Sequence, residues 1–350
     1  MQTRQLQIQF HTPAFLGDAR QSGRWRTPPL KAQLRQWWRV AYAAQQHFAV
    51  NVREMRDLEG RLFGHAWPED EWNEQDDKVA ARKSLVRIRL SHWSEGKETQ
   101  WSSQDAPVQH PNVHDRDGRQ KPVGSQLYMG FGPLKFDNGT ALKGHAAIQV
   151  QEQAGLAIAF PNDQAALLDQ ALQLMNLYGT VGGRSRNGWG SYSINRIDGG
   201  AMPNINTPTQ SLSKCLSMDW PHALGADTYG ALVWQTQLHK DWVGLMKTLA
   251  QIKIALRTQF VFTTGKTQNA EDRHWLSYPV TNHAVTSWSN NARLPNSLRF
   301  KVRPTDDGLV GVIFHMPHLP PKEFGADPKT LERIWRQVHN RLDQAATLKR

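Results

Sequence analysis

The chain has 350 residues, 39% of them hydrophobic, enough for about two domains with real cores and too apolar for a disordered protein. Its formal charge of +11 and isoelectric point near 9.8 point to an acidic partner, either nucleic acid or an anionic surface. No apolar run approaches the roughly 18 residues that span a bilayer, residues 1–10 lack a secretory pattern, and Cys215 is the single cysteine. A reduced cytoplasmic setting without disulfides, cysteine-bound zinc or a membrane partner is therefore expected.

In chain order, residues 5–10 alternate Leu6, Ile8 and Phe10 with glutamines, the period of a half-buried strand. Residues 11–23 read as a loop. Thr27 and Pro28 mark a helix start, and Leu30, Leu34, Trp37 and Ala41 give the helix one apolar face. Lys31, Arg35 and Arg39 recur at every fourth position as a basic stripe, with Trp38 and Tyr42 at its border. A solvated face of snorkelling basic stems is the competing reading, but the first 64 residues hold ten Lys/Arg against four Asp/Glu. A second helix closes at residues 59–64. Residues 67–77 carry six carboxylates and read as an exposed acidic loop without metal-ligand spacing.

Residues 84–90 read as a strand with Arg87 and Arg89 outward. Residues 91–137, rich in Pro, Gly, Gln, Ser and His, read as a long, partly disordered insertion whose His110, His114 and Asp115 belong to a loop. Residues 144–150 and 155–160 read as a hairpin. Asn162 is placed to cap a helix running to Tyr178, Gly179 stops it, and residues 189–197 return as a strand. Strand, helix, strand, strand, helix, strand is the ferredoxin-like order shared by RNA-recognition modules. After a linker at 198–209, a strand (230–238), a helix (242–257), a hairpin turning at Asp306-Asp307-Gly308 and a helix capped by Asp327 repeat the plan without an evident last strand.

One stretch stands out: residues 179–192 read Gly-Thr-Val-Gly-Gly-Arg-Ser-Arg-Asn-Gly-Trp-Gly-Ser-Tyr. Glycines let a backbone approach a ligand closely, Arg184 and Arg186 offer guanidinium forks, and Trp189 offers a stacking face. A tight helix-to-strand turn accounts for one or two of the glycines only. The expected RNA-binding set is Gly182, Gly183, Arg184, Ser185, Arg186, Asn187, Gly188 and Trp189, with Arg24, Arg26, Lys31, Arg35, Trp38 and Arg39; Trp25 is a further stacking candidate. Gly265-Lys266-Thr267 has the ending of a phosphate-binding loop, but Phe260 stands where the first glycine belongs.

Several short motifs in order resemble the RAMP superfamily of CRISPR proteins, and within it the first-numbered subunits of the type III-B Cmr complex. They are Thr12-Pro13-x-Phe15-Leu16-Gly17, Arg26-Thr27-Pro28, Leu34-Arg35-x-Trp37-Trp38-Arg39, Glu59-x-x-Leu62-Phe63-Gly64 and Gly182-Gly183-Arg184-Ser185-Arg186-x-Gly188-Trp189-Gly190, with a weaker Arg273…Ser277-x-Pro279. The resemblance implies an α+β fold of two tandem ferredoxin-like (RRM/RAMP-type) domains with long loop insertions. Residues 1–200 would form the first, with an insertion around 65–137, and 207–350 a degenerate second. It implies a non-catalytic subunit in antiviral defence, needing no cofactor or metal. Its partners would be the 3′ region of a CRISPR RNA, the paired target RNA, and other RAMP subunits. The chain departs from the family at Gly17-Asp18-Ala19-Arg20. Asp18 therefore carries the alternative reading of a metal-dependent RNA endonuclease.

Overall fold

The computed structural model describes residues 1–65, 81–101, 104–197, 199–200, 202–261 and 263–350; the expected acidic loop at 67–77 lies outside them. Strand β1 (Gln2–Phe10) buries Leu6, Ile8 and Phe10 and is central in its sheet. On one side it pairs antiparallel with β3 (Gln153–Phe160), Leu6 opposite Leu156; on the other with β4 (Tyr192–Arg196), Ile8 opposite Ile194. β2 (Arg87–Leu90) pairs with the outer edge of β3, so the order is β2-β3-β1-β4.

The crossovers run through helices α1 (Thr27–Gln45) and α4 (Ala165–Tyr178), which pack against each other and bury Leu34, Trp37, Leu168 and Met175 in the core under the sheet. α2 (Val52–Phe63) starts at Asn51, whose side chain accepts the N–H groups of Arg53 and Glu54. α1 starts at Thr27 with Pro28 in its first turn and no side-chain cap, and a 3₁₀ turn, Asn162–Gln164, precedes α4 where an Asn162 cap is expected.

The second half repeats the order. β5 (Val233–Thr236), helix α5 (Trp242–Thr258), β6 (Leu298–Thr305), β7 (Gly308–His315), helix α6 (Pro328–Asp343) and β8 (Leu348–Lys349) form a sheet ordered β6-β7-β5-β8, antiparallel throughout. The expected final helix stops at Asp343, and the last strand, absent from the sequence reading, is the two-residue β8. Two residues are too few for an alternating pattern to register.

Two other expectations are corrected. Residues 144–150 form no strand: Ala147 and Ile148 make isolated bridges to Glu98 and Ala14, because both edges of β1 and of β3 are already occupied. The insertion 91–137 is ordered across its described residues. It holds a ladder of Pro107–Val108 with Val123–Gly124, helix α3 (Ser125–Gly130), and strand Leu134–Phe136, which forms a hairpin with Thr140–Leu142. Asp105 organises it by accepting the N–H groups of Gln126 (2.7 Å) and Leu127 (3.0 Å) and the hydroxyl of Thr140 (2.6 Å). Val108, Met129 and Leu134 anchor it in the second core.

The halves are joined at the C-terminal end of α4. Lys301, fully buried on β6, donates to the carbonyls of Asn176 (2.6 Å) and Gly179 (2.8 Å) and lies 4.8 Å from the centre of the Tyr192 ring. Arg303 donates twice to Leu177 O. The final carbonyls of a helix have no partner within it and carry partial negative charge, so cations from the other half satisfy both requirements. Apolar packing follows the same seam: Phe314 of β7 sits 5.1 Å from Tyr178 and 6.4 Å from Trp37.

Two outcomes are expected. Lys301→Met keeps the volume but removes the donors, and should lower the unfolding free energy in urea by about 1–3 kcal/mol; an unchanged midpoint would show that the bonds to α4 are dispensable. In the second core His315 Nδ1 lies 2.9 Å from His339 Nε2, and burial pushes both pKa values down, that of His339 to about 3. The unfolded chain then binds these protons more tightly, so stability is complete above pH ~6.5 and falls as pH drops toward 3. Urea midpoints at pH 7 and pH 5 should differ by about 2 kcal/mol or more in stability, and equal midpoints would contradict the burial of neutral histidines.

Candidate nucleic-acid interface

The two motif stretches that frame β1 and β4 close on each other. Thr12 Oγ1 donates to Gly188 O (2.8 Å) and accepts Ser191 N–H (2.9 Å), while Gly183 N–H reaches Phe15 O (3.0 Å) and Gly190 N–H reaches Pro13 O (2.8 Å). A Cβ on Gly190 would lie 1.9 Å from Val181 O, and one on Gly182, at φ +97°, 2.7 Å from Phe15 O. At these two positions glycine is required by chain against chain, without any ligand.

The loop also plugs into the second half. Phe300 N–H donates to Arg186 O (3.0 Å), Val302 N–H to Ser191 Oγ (2.8 Å), and Lys253 Nζ to Asn187 Oδ1 (2.7 Å). Asn187 in turn donates to Met129 O of α3. Trp189 is 0% exposed, enclosed by Phe15, Trp101 and Trp242 at ring distances of 5.2–5.8 Å. The stacking role expected of Trp189 is therefore corrected: its indole is a core side chain. Arg186 is half-buried and donates to Asn296 O (3.1 Å). Arg184 alone among the loop's side chains is exposed, its Nε held by Phe131 O at 2.6 Å.

The expected surface of α1 is also reduced. Trp38 is buried in a stack on Tyr42 and against Phe63, and Trp25 is buried with its indole N–H on Glu152 (3.1 Å), so neither presents a face to a base. Arg35 and Arg39 converge on Glu59, which is 1% exposed: Arg35 Nε lies 2.5 Å from Oε1, and Arg39 bonds both carboxylate oxygens at 2.7 and 2.9 Å. The stripe is an interhelical ion pair with one carboxylate for two guanidiniums, leaving about one net charge besides half-buried Lys31. Arg26 braces the first loop through Gly17 O (2.6 Å), and Arg24 is exposed.

Asp18 turns the same loop. Its Oδ1 accepts the N–H groups of Ser22 (3.1 Å) and Arg20 (2.8 Å), which hold its pKa below the usual carboxylate value, and Arg24 lies 3.6 Å from its other oxygen. Among the described residues the one group of three with metal-ligand atoms in reach is Glu271, His274 and His283, and Asp18 is not in it. That group is held by other bonds: Glu271 N–H donates to His274 Nδ1 (2.8 Å), and the Glu271 carboxylate accepts Thr263 N–H and Oγ1. Residues Gly265–Thr267 form a strand paired with His283–Val285, not a phosphate loop.

What the sequence reading missed lies on the insertion. Phe131 and Phe136 are 63% and 73% exposed, and Phe131 is the residue whose carbonyl fixes Arg184. The Asn138-Gly139 dipeptide after Leu134-Lys135-Phe136 was the available signal, since such a pair marks a hairpin.

A family model described as the RAMP superfamily matches residues 7–193. No curated protein matches the chain. Among solved structures, apo Cmr1 from Pyrococcus furiosus is 14% identical, with 96% of this chain and 97% of that chain covered and a TM-score of 0.43. A chain of the type III-B Cmr-beta complex bound to cognate target RNA is 10% identical, covering 96% and 99%, with a TM-score of 0.46. A chain of a type IV-B CRISPR complex is 13% identical, covering 59% and 95%, with a TM-score of 0.30. All three TM-scores lie below 0.5, so the functional reading rests on the family match and on the site itself.

The loop's division of labour predicts opposite behaviour for two neighbours. Trp189→Ala should cost about 3–5 kcal/mol of stability by chemical denaturation, whereas Arg184→Ala should stay within about 0.5–1 kcal/mol of the parent. A mild Trp189→Ala would return the indole to the list of surface contacts.

Proposed function

The chain belongs to the RAMP superfamily, and on that premise we propose that it is a non-catalytic RNA-binding subunit of a type III-B CRISPR ribonucleoprotein. It contacts the 3′ region of the CRISPR RNA, the paired target RNA or both, beside other RAMP subunits. The repeated order of the two sheets supports reading residues 1–200 and 207–350 as tandem ferredoxin-like units. A cytoplasmic setting is part of this reading and suits a chain whose single cysteine can form no internal disulfide. No helix among the described residues is long and apolar enough to cross a membrane, and burial raises the Cys215 thiol pKa to about 12, which keeps it protonated and unreactive.

The observation that carries the reading is the exposed edge where the two family motifs meet. Arg184 projects there with Phe131 and Phe136 from the insertion, and the first loop, packed on Gly182 and Gly183, adds Arg20 and Arg24. Guanidiniums neutralise phosphates, and aromatic faces accept bases of any identity. Contacts of both kinds are blind to sequence, as a subunit serving every guide requires. Phe131 and Phe136 take the stacking role that the buried tryptophans cannot.

Binding to labelled single-stranded RNA tests this. Phe131→Ala with Phe136→Ala should weaken binding by about tenfold or more, and Arg184→Ala should lower the salt slope by about one ion; affinities equal to the parent at moderate salt would remove this edge from the interface. For the endonuclease alternative, Asp18→Asn in an assembled effector should leave target cleavage at the parent rate, because Asp18 already serves its own loop; loss of cleavage would reinstate it as a catalytic residue.

A further inference from the structure

One face of the first sheet is open to solvent, and the strand at its edge is basic. Leu6, Ile8, Leu156 and Ile194 lie in the core with α1 and α4. Directly paired residues share a face and neighbours along a strand alternate, so the register defines the opposite face. There Arg87 and Arg89 of β2 stand opposite Ala159 and Ala157 of β3, and these stand opposite Thr3 and Gln5 of β1, with Gly155 opposite Gln7. Arg87, Arg89, Thr3, Gln5 and Gln7 are exposed. Gly155, Ala157 and Ala159 form a column of minimal side chains, with guanidiniums on one side and amides on the other.

Residues 82–89 carry Arg82, Lys83, Arg87 and Arg89 without an Asp or Glu, and all four cations are exposed. Among the described residues none of these side chains forms an ion pair. Basic residues on an edge strand also discourage pairing with another chain, but that duty needs charge and no particular neighbour. Here the neighbour is an indole. Trp93 follows β2 and is 63% exposed, the one exposed tryptophan among the described residues. The residue before it turns inward: His92 packs on Trp25 with ring centres 5.3 Å apart, and its Nε2 lies 3.2 Å from Gln153 O. The residues after it join the first loop. Ser94 O accepts Trp25 N–H (3.0 Å), Glu95 forms a bridge with Arg24, and Gly23 O accepts Gly96 N–H (2.9 Å). The Glu95 carboxylate accepts the Ser22 hydroxyl. Trp93 therefore sits where the strand bearing Arg87 and Arg89 meets the loop bearing Arg24.

We propose that RNA held at the Arg184 edge continues as a single strand past Arg24 and over Trp93 onto the open face of the first sheet, where Arg89 and Arg87 take successive phosphates. This rests on the RNA-binding reading and extends it by a second surface. An indole face accepts any base, and guanidiniums two residues apart along a strand are about 7 Å apart, the reach of one extended nucleotide step. The glycine and alanine column lets the sugar-phosphate chain lie close to the sheet, and Gln5 and Gln7 offer amides to its hydroxyls and base edges. A protein partner fits less well: stable protein interfaces have an apolar centre, whereas the centre of this face is Gly155, Ala157 and Ala159 among amides and guanidiniums.

The test uses the full chain and labelled single-stranded RNA. Trp93→Ala should weaken binding about tenfold, and Trp93→Phe should restore most of it. Arg87→Gln with Arg89→Gln should weaken it about fivefold or more and lower the salt slope by about one to two ions. These side chains are exposed, so every variant should melt with the parent, and the parent should bind a single strand per chain. Variants that keep the parent's affinity and slope, while Phe131→Ala with Phe136→Ala loses binding, would overturn the second surface and leave the RNA reading intact. A parent chain that binds no RNA would overturn that reading and this surface with it. Two strands bound per chain would contradict the continuous path. Self-association of the double arginine variant at unchanged RNA affinity would assign Arg87 and Arg89 to guarding the edge strand. Competition by poly-glutamate as strong as that by RNA would assign the face to an acidic protein segment, and either result overturns the proposal.

Discussion

A helix that ends inside a protein must find partners for its last carbonyls, and in this chain they come from the other half of the molecule. Lys301 and Arg303, two residues apart on β6, reach the carbonyls of residues 176, 177 and 179. Their charges oppose the negative end of the α4 dipole, and Lys301 is buried to do it. The segment that follows α4 is thereby held at both flanks, by β1's loop on one side and by β6 on the other. Everything distinctive about residues 179–190 follows from that confinement. Glycines sit where a Cβ would strike Val181 or Phe15, Trp189 fills the second core, and Arg186 points into the seam. The glycine-rich stretch is first a joint between two sheets, and in the proposed function Arg184 is the one side chain it offers to RNA.

The same economy governs the charge. Of the basic residues near the N-terminus, Arg35 and Arg39 neutralise Glu59 and lock α2 to α1, and Arg26 braces a loop. The net positive charge therefore acts through fewer groups than the composition suggests. Arg20 and Arg24 of the first loop and Arg184 of the glycine loop remain exposed, as do Arg53, Arg56 and Arg61 of α2.

Much of this order was legible in the sequence. Period-2 and period-3.6 patterns placed β1, α1, α4, α5 and the β6–β7 hairpin, and the order of elements implied the repeated sheet plan. The illegible parts share a cause, which is that they depend on contacts far apart in the chain. A tryptophan beside arginines reads as a stacking platform until Phe15, Trp101 and Trp242 close over Trp189. Glu59 carries no mark of being the partner of residues twenty and twenty-four positions earlier. The insertion looked structureless because its order comes from one carboxylate, Asp105, and three apolar anchors in a distant core. Its exposed phenylalanines had only one local mark, the Asn138-Gly139 hairpin turn beside Phe136.

The central claim is that RNA meets this protein on the insertion side of the glycine loop and not on the loop's tryptophan. Photocrosslinking of 4-thiouridine-labelled single-stranded RNA to the intact chain, with the adducts mapped by mass spectrometry, addresses it directly. The account predicts adducts on peptides carrying Phe131 and Phe136, and none on Trp25, Trp38 or Trp189. Adducts on Trp189 with an unmodified insertion would contradict it.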